Sequence, residues 1–455
     1  MKTTIVLVLI SVFSLAICGP KLIYAQQQIL TLDEALSLAE EEGSLKGQYD
    51  HAREAARQDL LLQKADYWPT LQFRVNLSHA NEAPRIPVEF ENDTALARQG
   101  TRNTFISRLE LSQMVYDFGK TRHAVDAARM QTQLVSAEYD QQHLQLRRQV
   151  RRFFYQSLYY QKLDSVYAEV LPLARELARI HDVRIQNGVA LSAEALEARV
   201  TLQNIMSQQT VARNEYRRSL VQLASLTGRQ HINFETRGPL PAGPGRQELS
   251  GLHARLYQEA TELRADIGQL QVKSRQQAAL AKSIEALKYP TLILQSDFSY
   301  FGPEAFGYYS GLSSRGLDPV NWRVGIGFTY PLFDGRRIQS QKNRALALQK
   351  EYREQAYRLE RQISSEIQAA LSHLENLYVL AGQNRLLVDQ SEANIATAEQ
   401  ALAYGNISRM EYLKIMMAKT SAAAALLKTK SDIAGALLDL ETTVGKEITR
   451  TWHTP

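Results

Sequence analysis

The chain is written twice, with its copies 217 residues apart, so any fold it adopts must hold the same unit two times. Asn187-Gly188-Val-Ala-Leu-Ser-Ala-Glu194-Ala-Leu196 answers Tyr404-Gly405-Asn-Ile-Ser-Arg-Met-Glu411-Tyr-Leu413, and the pairs 188/405, 194/411 and 196/413 share that offset. Leu223 to Gly228 answers Leu440 to Gly445 at the same spacing. Asp117-Phe-Gly119 answers Asp334-Gly335, read with one residue deleted before the second glycine. Tyr67-Trp-Pro69-Thr-Leu71 answers Lys288-Tyr-Pro290-Thr-Leu292 at 221, which puts a loop of different length between the anchors.

Each half reads as helix, strand, long loop, strand, very long helix, tight glycine turn, helix. The first repeat takes residues 26–228 and the second 251–445. A Pro- and Gly-rich linker fills 229–250, and a loose tail covers 446–455. From Lys120 to Leu171, and again from Arg336 to Ala381, there is neither Gly nor Pro. A helical pattern resumes past the first interruptions, Pro172 and Gly382. A helix over 120–187 would be about 100 Å long at 1.5 Å per residue, which points to a coiled coil or a spanning rod. In the second copy Leu359, Ile363, Ile367, Leu371, Leu374, Tyr378 and Ala381 lay one apolar stripe along such a helix. Thr31-Leu-Asp-Glu34 and Ser408-Arg-Met-Glu411 are capping boxes, and Gly43 and Gly47 break the first helix into two.

The N-terminus carries Lys2 and then a short apolar run from Ile5 to Ile17, which reads as a secretory signal peptide over 1–25, cleaved after Ala25. Cys18, the one cysteine, leaves with it; bulky Ile17 before it disfavours lipidation. Cysteine-based metal or nucleophile chemistry is thereby excluded. The net charge of +5 falls to +3 without Lys2 and Lys21, and the charges interleave along helices. The best candidate for a nucleic-acid patch is Arg147, Arg148, Arg151 and Arg152 before Phe153 and Phe154, and mid-rod it reads instead as a solvated face beside a packing stripe. The expectation is no nucleic-acid partner.

Between the helices lie four stretches of period two, at about 70–79, 104–116, 291–301 and 322–333. Leu71, Phe73, Val75 and Leu77 alternate with Gln72, Arg74, Asn76 and Ser78. Trp322, Val324, Ile326 and Phe328 alternate with Arg323, Gly325 and Gly327. One greasy and one polar face over about ten residues is the pattern of a transmembrane β-strand with a wet lumen. Trp322, Tyr300, Tyr308 and Tyr309 supply an aromatic girdle. The same alternation permits soluble hairpins packed on helices. If the strands span lipid, four leave open edges, and a closed barrel needs at least about eight. The wall must then be shared between two, three or four copies of the chain. Pro69 and Pro290 end helices where strands begin; Asp117 with Gly119 and Asp334 with Gly335 turn strand back into helix, the carboxylates capping its first N–H groups.

No constellation supports catalysis. The nine histidines show no paired ligand spacing, Gly325-Ile-Gly327 lacks a third glycine, and no nucleophile elbow or phosphate loop is present. The chain reads as a non-enzyme without metal or cofactor.

Together these pieces resemble the TolC family of outer-membrane efflux factors over nearly the whole mature chain. The motifs are Trp68-Pro-Thr-Leu71 and Tyr289-Pro-Thr-Leu292, Tyr116-Asp-Phe-Gly119 and Phe333-Asp-Gly335, and the glycine tips with their following helices. The resemblance implies a mainly α fold with a small β part: a homotrimer whose 12-stranded outer-membrane barrel continues into a long periplasmic α-helical barrel. It implies an exit duct in the outer membrane of a Gram-negative bacterium, partnered by a periplasmic adaptor, an inner-membrane transporter and membrane lipid. Asn187, Gly188, Tyr404 and Gly405 become adaptor-contacting tips, and Glu194, Glu411 and Lys414 candidate tunnel-gate residues. Glu411 has a second reading as capping partner of Ser408. Where the family often has Asn-Pro or Arg-Pro-Asp breaks, this chain has Glu42-Gly-Ser-Leu45 and Arg264-Ala-Asp-Ile267. The rival reading is a soluble periplasmic coiled-coil scaffold or adaptor whose hairpins cap a bundle.

Overall fold

The structure is a computed structural model, described here for residues 28–82, 85–90, 93–98, 102–188, 192–229, 232, 234–249, 251–301 and 320–448. The expected signal peptide over 1–25, with Cys18, and Tyr308 and Tyr309 lie outside the described residues. The chain is mainly helical with a small sheet. In order it forms β1 (Gln28–Leu30), α1 (Leu32–Glu41), α2 (Ser44–Ala65), β2 (Thr70–His79), β3 (Arg85–Phe90), β4 (Asp93–Arg98) and β5 (Asn103–Tyr116). There follow α3 (Lys120–Gln186), α4 (Ser192–Leu226), β6 (Phe234–Thr236), α5 (Arg246–Leu249), α6 (Leu252–Leu263) and α7 (Ala265–Ala286). The chain continues through β7 (Thr291–Phe301), β8 (Val320–Thr329), α8 (Arg337–Ala403) and α9 (Arg409–Val444).

The two long helices, α3 and α8, have 67 residues each and run without a break through Pro172 and Gly382. What the sequence reads as a long loop between the first two strands contains a hairpin, β3 paired antiparallel with β4. The strand expected over 322–333 ends at Thr329, because Pro331 has no N–H to offer a ladder.

Two compact units divide the chain, and each draws on both repeats. One comprises Met1–Gly47, Gln141–Arg264 and Gln362–Pro455. Its core packs Leu36 and Ala39 of α1 with Val150, Phe154 and Leu158 of α3, Leu220 and Leu223 of α4, Phe234 of β6, and Ala434 and Leu438 of α9. Of the expected stripe on α8, Ile363, Ile367, Leu371 and Leu374 are buried. Tyr378 donates its hydroxyl to the carbonyl of Ala242 at 2.9 Å, and burial pushes its pKa up to about 12. Both expected capping boxes form, Thr31 with Glu34 and Ser408 with Glu411. Beside β1, β6 adds a parallel partner, so part of the linker is ordered strand.

Of the arginine cluster on α3, Arg152 is exposed, but Arg147, Arg148 and Arg151 are not the solvated face that the sequence suggests. Arg151 is 4% exposed and grips Glu441 of α9, itself 2% exposed. Arg147 binds Glu40 and Glu447, Arg148 binds Asp439, and the N–H of Ile448 donates to Glu441. Hydrogen bonds to Glu447 raise the Arg147 guanidinium's hold on its proton, against the pull of burial. The α9-side partners lie 290 to 300 positions away in sequence and Glu40 lies 107 away, where no local pattern reveals them.

The other unit, Gln48–Asp140 and Ala265–Arg361, carries the main sheet. Its helices bury mostly small residues, including Ala56, Ala127, Ala279, Ala281, Ala286 and Ala345. α3 and α7 are tied by side-chain-to-carbonyl bonds, Ser283 to Lys120 at 2.9 Å and Gln269 to Ala137 at 3.2 Å. Small residues on the shared faces let the helix backbones approach closely enough for such bonds.

Candidate functional site

The sheet runs β2-β5-β7-β8 with every neighbour antiparallel. Its register puts residues of one chemistry on one face. Phe73 pairs with Leu109, Leu109 with Phe298, and Phe298 with Trp322. Leu71, Leu77, Phe105, Tyr300, Val324, Ile326 and Phe328 share this face, which carries no charged residue. Among them Phe73 is 69% exposed, Trp322 71%, Ile326 69% and Phe328 76%. The opposite face holds the row Gln72, Glu110, Asp297, Arg323 and the row Arg74, Arg108, Ser299, Asn321. An exposed apolar patch of this extent is costly in water and natural in lipid. The strands have 10 to 14 residues, against the 9–11 a tilted membrane strand needs. Among the described residues no helix is long and apolar enough to cross a membrane.

Both ends of each hairpin are built alike in the two repeats. Trp68 donates to Ala65 and Tyr289 to Ala286, each a last helical turn that Pro69 or Pro290 stops before the strand. On the return, Asp117 accepts the N–H groups of Gly119 and Thr121 at 3.0 and 2.7 Å. Asp334 accepts those of Arg336 and Ile338 at 2.9 Å each. Phe118 and Gly119 are both left-handed (φ 53° and 87°), as are Gly335 and Arg336 (63° and 68°). The sequence reading of a deletion is corrected here. Position 118 answers 335 and 119 answers 336, and each turn places its one glycine at a different member of a left-handed pair. A cavity of about 600 Å³ beside the first junction is lined by Lys64, Tyr67, Trp68, Arg122, Val125, Asp126 and Arg129.

The helical turns form the second feature. Gly188 and Gly405 are left-handed at φ 68° and 75°. At the second, Asn406 donates to Ala401 and Gly405 to Leu402, closing a Schellman motif. Asn187, Gly188, Tyr404 and Gly405 are exposed, Tyr404 at 81%. The two turns approach each other, since Leu413 packs with Leu177, Ala178 and Ala198, and Arg184 reaches the sulfur of Met410 at 3.8 Å. The acids differ. Glu411 is held by the Ser408 backbone N–H at 2.8 Å, which lowers its pKa together with the Ser408 hydroxyl. In the sequence of the first repeat Leu191 takes the place that Ser408 has in the second, and Glu194 lies 3.8 Å from Nδ1 of buried His181. Lys414 is exposed. Among the described residues no group of three or more His, Cys, Asp or Glu side chains is arranged to hold a metal ion.

Residues 47–229, from within α2 to the turn after α4, match the model of the outer membrane efflux protein family. Over this segment, two fifths of its length, the chain is similar to that family. No curated protein matches the sequence. Solved outer-membrane proteins share its fold across nearly its whole length. The Campylobacter jejuni CmeC outer membrane channel superposes with a TM-score of 0.71 at 19% identity, covering 92% of this chain and 88% of its own. The Vibrio cholerae outer membrane protein VceC gives 0.71 at 18%, covering 91% and 96%. The open state of the Neisseria gonorrhoeae MtrE outer membrane channel gives 0.69 at 18%, covering 91% and 89%. The amphipathic sheet and the paired helical turns belong to the fold that this chain shares with those structures. Sequence reasoning missed the left-handed pairs and the approach of His181 to Glu194; the only local signal was a glycine shifted by one position between repeats.

Proposed function

We propose that the chain is the outer-membrane exit duct of a tripartite efflux or type I secretion system, a homotrimer that conducts its cargo passively. The observation that carries this reading is the uncovered apolar face of the sheet. Hairpins that merely capped a soluble bundle would turn that face inward, so the scaffold reading is disfavoured. In hydrocarbon the unpaired outer edges of β2 and β8 cost several kcal/mol per open backbone group, so they must find partners. With four strands all antiparallel, β8 of one copy meets β2 of the next in antiparallel sense for any number of copies. Three copies give 12 strands, the count the family resemblance implies. In this reading the repeats 26–228 and 251–445 each supply one hairpin and one pair of long helices to the wall. The turns at Gly188 and Gly405 are the adaptor-docking tips, and Glu194, Glu411 and Lys414 lie where a tunnel gate would act. Energy for transport comes from an inner-membrane partner.

The test is a planar bilayer recording with the purified mature protein, alongside its migration in SDS with and without heating. A stable conductance and a heat-labile trimer are expected. A monomer released by osmotic shock that never conducts would overturn the proposal.

A further inference from the structure

The polar face of the sheet carries an unequal set of charges in one narrow zone. Its ionic residues are Arg74, Arg108 and Arg323 against Glu110 and Asp297, a surplus of one positive charge per chain. Arg323 and Asp297 are directly opposed and pair at 3.6 Å. Arg74 and Arg108 are also directly opposed across β2 and β5, an arrangement in which like charges repel. Both lean on one carboxylate, Glu110, at 3.3 and 3.4 Å, and Arg74 also donates to the side-chain oxygen of Gln72 at 2.8 Å. The guanidinium groups stand out from the wall, with side chains 64% and 44% exposed, while Glu110 is tucked beneath at 29%.

We infer that Arg74 and Arg108 form an anion-binding step on the inner wall of the barrel, a transient hold for carboxylate, phosphate or sulfate groups on passing cargo. This rests on the exit-duct reading, which turns the apolar face to lipid and this face to the lumen. Each guanidinium presents a planar fork of donors matched to an oxyanion, and the two forks together have donors for two carboxylates. Glu110 supplies one. A second oxyanion arriving through the lumen completes the set and relieves the repulsion between the arginines. Repeated in every copy around the barrel, the site makes a positive ring that concentrates anions and selects against cationic cargo.

The experiment is the chloride-to-potassium permeability ratio of the reconstituted channel, read from reversal potentials in a KCl gradient at low ionic strength, where screening is weak. The R74Q/R108Q double variant should lower the ratio by about twofold or more. E110Q, which removes the one carboxylate that both arginines lean on, should raise it. Opposite signs from two neutralising changes in one cluster are not produced by a general loosening of the barrel. A conducting channel whose ratio is unchanged in both variants, or shifts the same way in both, overturns the anion step alone. A protein that forms no channel overturns the exit-duct reading and the step with it.

Discussion

Asp117 and Asp334, 217 residues apart (334 − 117), hold the same two backbone groups with the same two atoms. In each, Oδ1 accepts the N–H two residues on and Oδ2 the N–H four residues on. Strand becomes helix at both points, and the first donors of α3 and α8 are satisfied by a carboxylate that also suits the helix dipole.

Removing that cap has a definite pH signature. Burial pushes the Asp117 carboxyl up, but hydrogen bonds from Thr121 and Gly119 outweigh it and leave the pKa below the ordinary 3.8. A lowered folded-state pKa gives stability that is present above the unfolded value and lost as pH falls through the folded one. Asp117→Ala should therefore cost about 1 kcal/mol at pH 7. The gap to wild type should narrow as pH falls below the ordinary carboxylate range. Thermal melts by circular dichroism at pH 7 and in acid read this directly. A gap that persists in acid would remove the carboxylate from the account.

The left-handed pairs predict a gain and a loss. A non-glycine residue in that region costs about 1–2 kcal/mol, so Arg336→Gly should raise stability by up to that amount. Gly335→Ala should lower it through backbone strain alone, since an added Cβ would meet nothing within 4 Å. Phe118→Gly should gain little. Phe118 lies against Tyr116 and Tyr289 at 4.7 and 5.1 Å between ring centroids, and such pairs are worth about 0.5–1.5 kcal/mol each. The three melting midpoints, taken together, separate strain from packing.

The clasp around Glu441 should be the least forgiving polar site in its unit. Glu441→Gln removes the nearer and more buried of the two carboxylates on Arg151, leaving Glu447 at 3.8 Å, and a broken buried pair costs about 3–5 kcal/mol. Replacing both, Arg151→Met with Glu441→Leu, should recover most of that loss. Urea unfolding of the three proteins decides it, because a double variant as weak as the single would mean that geometry and not charge is at stake.

The tip acids can be told apart. Ser408→Ala removes the hydroxyl of the capping box but leaves a carboxylate at Glu411, whereas Glu411→Ala removes both the cap and the charge. If Glu411 belongs to a gate, single-channel recordings should show higher leak or altered cation preference in Glu411→Ala alone. Equal behaviour of the two variants would reduce the residue to a helix cap.

The parts of this molecule written in local pattern were legible in its sequence. The alternation of Leu71, Phe73, Val75 and Leu77 needs only a period of two to define a face, and the fold shares that face across four strands in register. The stripe from Ile363 to Leu374 needs only helical spacing. The site was less legible where it depends on partners distant in the chain. Nothing near Arg151 announces Glu441, and nothing near Arg74 announces that Arg108 will stand directly opposite. The turns at Asp117 and Asp334 were half legible. The carboxylates were evident, but a glycine displaced by one position looked like a deletion when it was one conformation reached with its glycine in two places.

The order of strands in the sheet also bears on how the molecule is assembled. β5 and β7 are hydrogen-bonded neighbours, yet residues 117–290 intervene between them. The two hairpins meet only after those helices have doubled back in water and brought the strand ends side by side. Until then each hairpin is a two-stranded ribbon, too small to persist alone. In the exit-duct reading, the lipid-facing wall is then the last part of the fold to set.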